Sequence, residues 1–200
     1  MHPSIDSGAV PPMQTINALS LSHRFLQDWV RPGSLCIDAT AGRGRDTVFL
    51  CGLTGVGGTV LAFDIQQEAL DSTAALLQEQ GWHNARLILD SHENLSAYAQ
   101  PGTVDCVVFN LGWLPGGDHD IHTQPHSSIA AIAQGLDLLR PGGVMSICIY
   151  FGRNNGYAER DAVLAYLEAL DPTVYTVIVS RFVNRRGDVA IPVSIVKQNR

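Results

Sequence analysis

The chain has 200 residues, 46% of them apolar and 16% charged, with a formal net charge of −6. This is one domain's length with enough apolar material for a real core, which excludes a disordered chain and argues against a broad, sequence-blind nucleic-acid binder. Four cysteines scattered through apolar runs (Cys36, Cys51, Cys106 and Cys148), no apolar run near 18 residues and no basic-then-apolar leader point to a cytoplasmic protein with buried free thiols, not to a disulfide frame, a zinc site or a membrane protein.

Residues 1–12, with three prolines and a glycine, read as a loose arm ahead of a single domain over 13–200. From Met13 to Val30, Ile16, Leu19, Phe25, Leu26 and Val30 fall mostly on one helical face, closed by Pro32-Gly33. Strands and helices then alternate. A strand is expected near 35–39, a helix near 45–53, a strand near 59–63 and a helix near 67–80. Next come a strand near 86–89, a short helix near 92–98 and a strand over 104–109. A helix near 127–139 ends at Arg140-Pro-Gly-Gly143 and leads into the strand Val144–Tyr150. Such alternation calls for a parallel sheet with helices on both faces. After a helix near 157–170, two β-rich runs, Val174–Val183 and Val189–Val196, are separated by only five residues, Asn184 to Asp188. That is hairpin length, so the last two strands must be antiparallel. The expected fold is a Rossmann-like α/β class I methyltransferase architecture: seven strands, mostly parallel, with a C-terminal antiparallel hairpin.

The first strand and turn, Leu35-Cys-Ile-Asp-Ala-Thr-Ala-Gly-Arg-Gly-Arg-Asp46, and the second strand, Val60-Leu-Ala-Phe-Asp64, form half of a nucleotide-cofactor site. Gly42 and Gly44 allow a tight turn and a close approach of backbone to ligand. Asp64 ends its strand where a carboxylate can accept from both hydroxyls of a ribose. A dinucleotide fingerprint needs a third glycine where Thr47 stands, and Asp46 beside it would repel a pyrophosphate. S-adenosylmethionine fits better: an adenosine for Asp64 and a methionyl ammonium for Asp38 or Asp46. Ligands of such sheets gather outside the strands' carboxyl ends, which aligns Asp38, Thr40, Gly42, Arg43 and Gly44 with Asp64–Gln66, Asp90–His92 and Asn110–Trp113. Ser91 and His92 could meet the adenine edge, although Ser91 or Asp90 also suits a helix N-cap.

The fourth strand runs into Phe109-Asn-Leu-Gly-Trp-Leu-Pro-Gly-Gly-Asp118. This pattern resembles the Asn-Pro-Pro-Tyr motif of methyltransferases acting on planar or amine nitrogen. There the Asn oxygen accepts from the target N–H while the aromatic stacks on the base. Asn110 and Trp113 can take those roles; a Gly-Pro turn with a core tryptophan is the bland reading. His119, His122 and His126 have plausible metal spacing but no helical period to align them, so no metal is expected. A substrate-side loop in which Asp118 or Asp120 holds a cationic amine or takes its proton is preferred. Twelve of the 13 basic residues are Arg. Of these, Arg153, Arg181, Arg185 and Arg186 are candidate phosphate contacts, or solvated loop residues of an arginine-rich proteome.

Asp38-Ala-Thr-Ala-Gly-Arg-Gly-Arg-Asp46, Ala62-Phe-Asp-Ile-Gln66, Ser91-His92 and the Asn110–Asp118 segment together resemble the bacterial "putative rRNA methylase" family. That family includes the tRNA 5-(aminomethyl)-2-thiouridine methyltransferase. The resemblance runs from about residue 14 to 197. It implies methylation of the aminomethyl group on the wobble uridine of tRNA, with the anticodon stem-loop as partner. It also implies cofactor contacts from Asp46, Asp64, Gln66, Ser91, His92 and position 43. Arg43 stands where the family often has Asn, and Trp113 where it often has Tyr. An rRNA or small-molecule N-methyltransferase is the alternative, and a homodimer is left open.

Overall fold

The computed structural model describes residues 16–112, 123–152 and 156–199. The arm over 1–12, Trp113, Asp118, Asp120, His119, His122 and Arg153 lie outside the described residues. Five α-helices and seven strands follow one another here: α1 (Ala18–Trp29), β1 (Leu35–Asp38), α2 (Arg45–Thr54), β2 (Thr59–Asp64), α3 (Gln67–Gln80), β3 (Ala85–Leu89), β4 (Val104–Leu111), α4 (Pro125–Leu138), β5 (Leu139–Ile149), α5 (Tyr157–Glu168), β6 (Tyr175–Val179) and β7 (Ile191–Lys197). The short helix expected near 92–98 is a 3₁₀ turn over His92–Ala97, with the Ser91 hydroxyl accepting from the Glu93 N–H as its N-cap.

The strands form one sheet in the order β3-β2-β1-β4-β5-β7-β6. β3 to β5 are parallel, whereas β7 is inserted antiparallel between β5 and β6. Side chains of alternate β4 residues face opposite layers. Cys106 and Val108 pack with Leu26, Leu50 and Leu77 of α1, α2 and α3. Val107, Phe109 and Leu111 pack with Ile132, Leu136 and Val163 of α4 and α5. Burial on both faces is why the central strands read as continuous apolar runs. The four cysteines are buried and free, and no helix among the described residues is long and apolar enough to cross a membrane.

Three boundaries differ from the sequence reading. α1 starts at Ala18, five residues late, because Asn17 makes a capping box with Ser20. Its buried face is Ala18, Ser22 and Leu26, while Ile16 stays exposed. β5 begins at Leu139: Leu139 pairs with Val104 and Val144 with Cys106, so Arg140–Gly143 bulge out opposite Asp105. The run Val174–Val183 stops being strand at Val179. Beyond it, the Arg185 N–H donates to the Phe182 carbonyl and the Arg185 guanidinium lies 4.1 Å over the Phe182 ring. The last two strands are antiparallel as expected, but residues 180–190 join them in place of a five-residue turn.

The β1-to-α2 turn is built over a buried carboxylate. Asp38 has no exposed surface, accepts from the Thr47 hydroxyl at 2.6 Å and from the Thr40 N–H at 3.2 Å, and lies below the turn. Burial, and then the neighbouring Asp46 charge, push its carboxyl up to about 7. The folded chain therefore keeps a proton on Asp38 that the unfolded chain loses above its value of 3.8, so this group removes stability as pH rises from about 4 to 7. Between pH 5 and pH 7.5 the native chain should lose on the order of 2 kcal/mol more than an Asp38→Asn variant. Urea unfolding at the two pH values measures this; parallel changes in both proteins would refute it.

Candidate active site

The topological switch point lies between β1 and β4, where the strand order reverses direction. A cavity of about 390 Å³ opens there, within the roughly 300–1,000 Å³ typical of ligand sites. β1 and the glycine turn supply Ala39, Thr40 and Gly42; β2 leads into Asp64, Ile65 and Gln66; β3 leads into Asp90, Ser91, His92 and Glu93. Asn110 and Gly112 come from the end of β4, and Thr123, Gln124, His126 and Ser127 from the start of α4.

The Asp64 carboxylate is held rigidly. Oδ2 accepts from the Gly42 N–H at 3.0 Å and Oδ1 from the Gln66 N–H at 2.9 Å. Each oxygen retains a second lone pair, so the group is pre-oriented for a vicinal diol. Ile65, 61% exposed, adds an apolar wall beside it. Ser91 uses its hydroxyl as the N-cap and also lines the cavity. Burial lowers the proton affinity of the His92 imidazole, against smaller opposing effects of Glu93, the Ala39 backbone and Asp64. A neutral His92 ring, set edge-on to Phe109 at 6.2 Å, is a donor and acceptor suited to a heterocycle.

No Arg or Lys stands among the described lining residues, while Asp64, Asp90 and Glu93 do. A pyrophosphate would find no counter-charge among them, whereas ribose hydroxyls would find an acceptor and a cationic group would find acids. The residue set thus fits S-adenosylmethionine and disfavours a dinucleotide.

Several candidates sit elsewhere than the sequence suggested. Asp38 is beneath the turn, committed to Thr40 and Thr47, and does not line the cavity. The side chain of Arg43 turns away to α3, donating to Glu68 and Ser72 at 3.0 Å each. Gly44 does not line the cavity either. It has φ of +81°, and a Cβ there would come within 2.9 Å of the Thr73 backbone, so the glycine serves helix packing. Asp46 lies behind Asn110 instead of in the wall, its carboxylate accepting from Asn110 Nδ2 at 2.6 Å. Asn110 itself is fixed from the backbone, its N–H donating to the Thr40 hydroxyl at 2.7 Å. Of the phosphate candidates, Arg181, Arg185 and Arg186 are exposed on the 180–190 connection. This connection leads into Ile191, which pairs with Ile149, itself the partner of Leu111; the arginines are therefore on the same sheet edge as Asn110.

The sequence reading gave Ile65 no role of its own and missed Thr123. Ile65 could have been read from its place between Asp64 and Gln66 at a strand end. Thr123 closes the segment after β4. Its hydroxyl accepts from the Gly112 N–H at 2.8 Å and donates to the buried Glu159 at 2.8 Å, contacts with no local sequence signal. Among the described residues no group of three His, Cys, Asp or Glu side chains is placed to hold a metal ion.

Comparison with known proteins identifies relatives of this chain. A family model described as "Putative rRNA methylase" matches residues 60–196. The chloroplastic tRNA (mnm(5)s(2)U34)-methyltransferase of Arabidopsis thaliana is 31% identical over 159 residues, 74% of this chain. The chain spans 58% of that curated relative's length. The crystal structure of a "putative rRNA-methylase" from Clostridium thermocellum superposes with a TM-score of 0.89 at 36% identity, covering 92% of this chain and all of that one. A methyltransferase structure from Streptococcus mutans in complex with SAH has a TM-score of 0.83, also at 36% identity, covering 92% of this chain and 99% of that one. With more than half of its length matched by the family model and the same sheet in its structural relatives, the chain belongs to the rRNA methylase family and has the class I methyltransferase fold.

Proposed function

We propose that the chain is an S-adenosylmethionine-dependent N-methyltransferase that methylates the 5-aminomethyl group of 5-aminomethyl-2-thiouridine at the tRNA wobble position. The observation that carries this reading is the setting of Asn110. Asp46 engages the amino end of its amide at the rim of a cavity that has a diol-binding carboxylate, Asp64, across the turn. The amide oxygen is thereby the end offered to a ligand. The name of the Arabidopsis relative supplies the acceptor class, and Asn110-Leu-Gly-Trp113 supplies the nitrogen chemistry.

In this reading Asp64, Gln66, Ser91 and His92 hold the adenosine end of the cofactor, and the cofactor, when bound, supplies a sulfonium methyl carbon for in-line attack. An alkylammonium is mostly protonated at neutral pH, as the Lys reference near 10.4 shows, so the site must first take a proton. That task is assigned to Asp118 or Asp120. Asn110 then accepts one remaining N–H, which directs the lone pair into the cavity, while Trp113 stacks on the base. Positioning is the main lever for such a reaction, with no need for a covalent enzyme intermediate. RNA is taken to lie across the sheet edge where Arg181, Arg185 and Arg186 are exposed, with Arg153 in the same role.

Three outcomes are expected. Asp64→Ala should weaken S-adenosylmethionine binding about ten- to a hundredfold, the roughly 1.5–3 kcal/mol lost with a charged acceptor, as read by calorimetry alongside a thermal melt. Arg181→Ala with Arg186→Ala should weaken tRNA binding and reduce the slope of log affinity against log salt by about 0.7 per lost phosphate contact, leaving cofactor affinity unchanged. An unaltered slope would return these arginines to plain surface. Asn110→Ala should lower single-turnover methylation of tRNA bearing the unmethylated aminomethyl group by about a hundredfold or more, with cofactor affinity retained. Near-native turnover would refute the Asn-based mechanism. If the native chain leaves that tRNA unmodified but methylates rRNA or a small amine, the acceptor assignment fails.

A further inference from the structure

Asn110 and two polar side chains behind it, Asp46 and His23, form one chain of hydrogen bonds across three separate elements. Asp46, at the second position of α2, is buried, with 6% of its surface exposed. Its Oδ2 accepts from Asn110 Nδ2 at 2.6 Å, and its Oδ1 lies 2.5 Å from Nε2 of His23 on α1. An ionised carboxylate only accepts, so His23 donates from Nε2, and the amide of Asn110 must present its amino end to Asp46. The His23 ring lies flat on Phe49 of α2, with centroids 3.7 Å apart and planes 3° apart. The ring plane, and with it the direction of the Nε2–H bond, is thus fixed by packing.

An Asn amide free to rotate about its last bond would offer either an oxygen or an amino group to the cavity, and only the oxygen can accept from an amine N–H. The backbone N–H of Asn110, held by Thr40, sets where the side chain starts but not which way its amide faces. Asp46 makes that choice, and Asp46 can hold it only if its own carboxylate is kept from turning. A carboxylate with one partner pivots about it; with a second donor on its other oxygen it does not. His23 is that second donor. It does not line the cavity and therefore acts through Asp46 and Asn110.

We propose that His23 is a positioning residue of the methyl-transfer site, acting through Asp46 to hold the Asn110 amide oxygen toward the acceptor nitrogen. The inference rests on the role given to Asn110 above, and its coupling step is testable without any substrate. In ligand-free protein labelled with ¹⁵N, the side-chain amide pair of Asn110, identified by its disappearance in Asn110→Ala, should carry the downfield shift of a proton bound to a carboxylate. His23→Phe keeps the ring on Phe49 but removes the donor, and should move this pair toward ordinary Asn values. His23→Gln keeps a donor and should restore most of the shift. Melting temperatures of both variants report whether the fold is kept.

With tRNA bearing the aminomethyl group, His23→Phe should slow single-turnover methylation about tenfold, a fraction of what outright misplacement costs, and His23→Gln should stay within about threefold of native. In an Asn110→Ala background, His23→Phe should add no further loss, because residues acting through one another are non-additive. An unmoved Asn110 amide pair in His23→Phe, or fully additive losses in the double variant, overturns the proposal. Absence of methylation of this tRNA by the native chain would instead refute the acceptor assignment, and the amide resonances would still decide the coupling.

Discussion

The site depends on polar groups buried under the carboxyl ends of β1 and β4. Asp38 holds Thr40 and Thr47, the Thr40 hydroxyl takes the Asn110 N–H, and Asp46 takes the Asn110 amide. Each link joins one element to another: β1 to α2, the turn to β4, α2 to β4. Polar groups buried this deeply are tolerated only when paired, so the whole set must form together. Their cost is visible in Asp38, whose burial pushes its carboxyl from 3.8 up to about 7. The chain accepts that cost where a ligand-binding edge needs fixed geometry, and in return Asn110 has a set position and a set amide direction.

Sheet order then decides what stands beside this network. Because β4 returns next to β1, the Asp64 carboxylate at the end of β2 and the Asn110 amide at the end of β4 flank one crevice. One half of its wall comes from the consecutive β1, β2 and β3 ends. The other half comes from β4 and the start of α4, tied back by Thr123 and Glu159 on α5. The antiparallel β7 brings the exposed, arginine-bearing 180–190 connection to the same sheet edge as Asn110.

α1 is more than a cover for the sheet. Its buried face is small, Ala18, Ser22 and Leu26, and Ser22 shares a hydrogen bond of 2.7 Å with Ser146 of β5. Apolar packing of Leu26 together with this directional contact sets both the depth and the register of the helix. That precision places His23 within reach of Asp46.

The alternation of strands and helices, the antiparallel tail and the row of ligand-facing strand ends were legible in the sequence, because two-sided burial and short-range turn chemistry leave periodic marks. That Asp64, Gln66, Ser91, His92 and Asn110 gather around one cavity was legible for the same reason: each stands at the end of an apolar strand that reaches the crevice. Asp38 and Gly44 had the right residue types, yet only packing assigned them, to the floor beneath the turn and to the contact with Thr73. Arg43 swung away because Glu68 and Ser72 one helix over offer it partners. The partnership of His23 with Asp46 and Asn110 leaves no local trace, since it joins residues from three elements whose meeting depends on how α1 docks. Local order along the chain thus determined the elements and the strand-end candidates, whereas which acids face a ligand and which support one was decided by tertiary packing, because burial and hydrogen-bond direction exist only once distant elements have met.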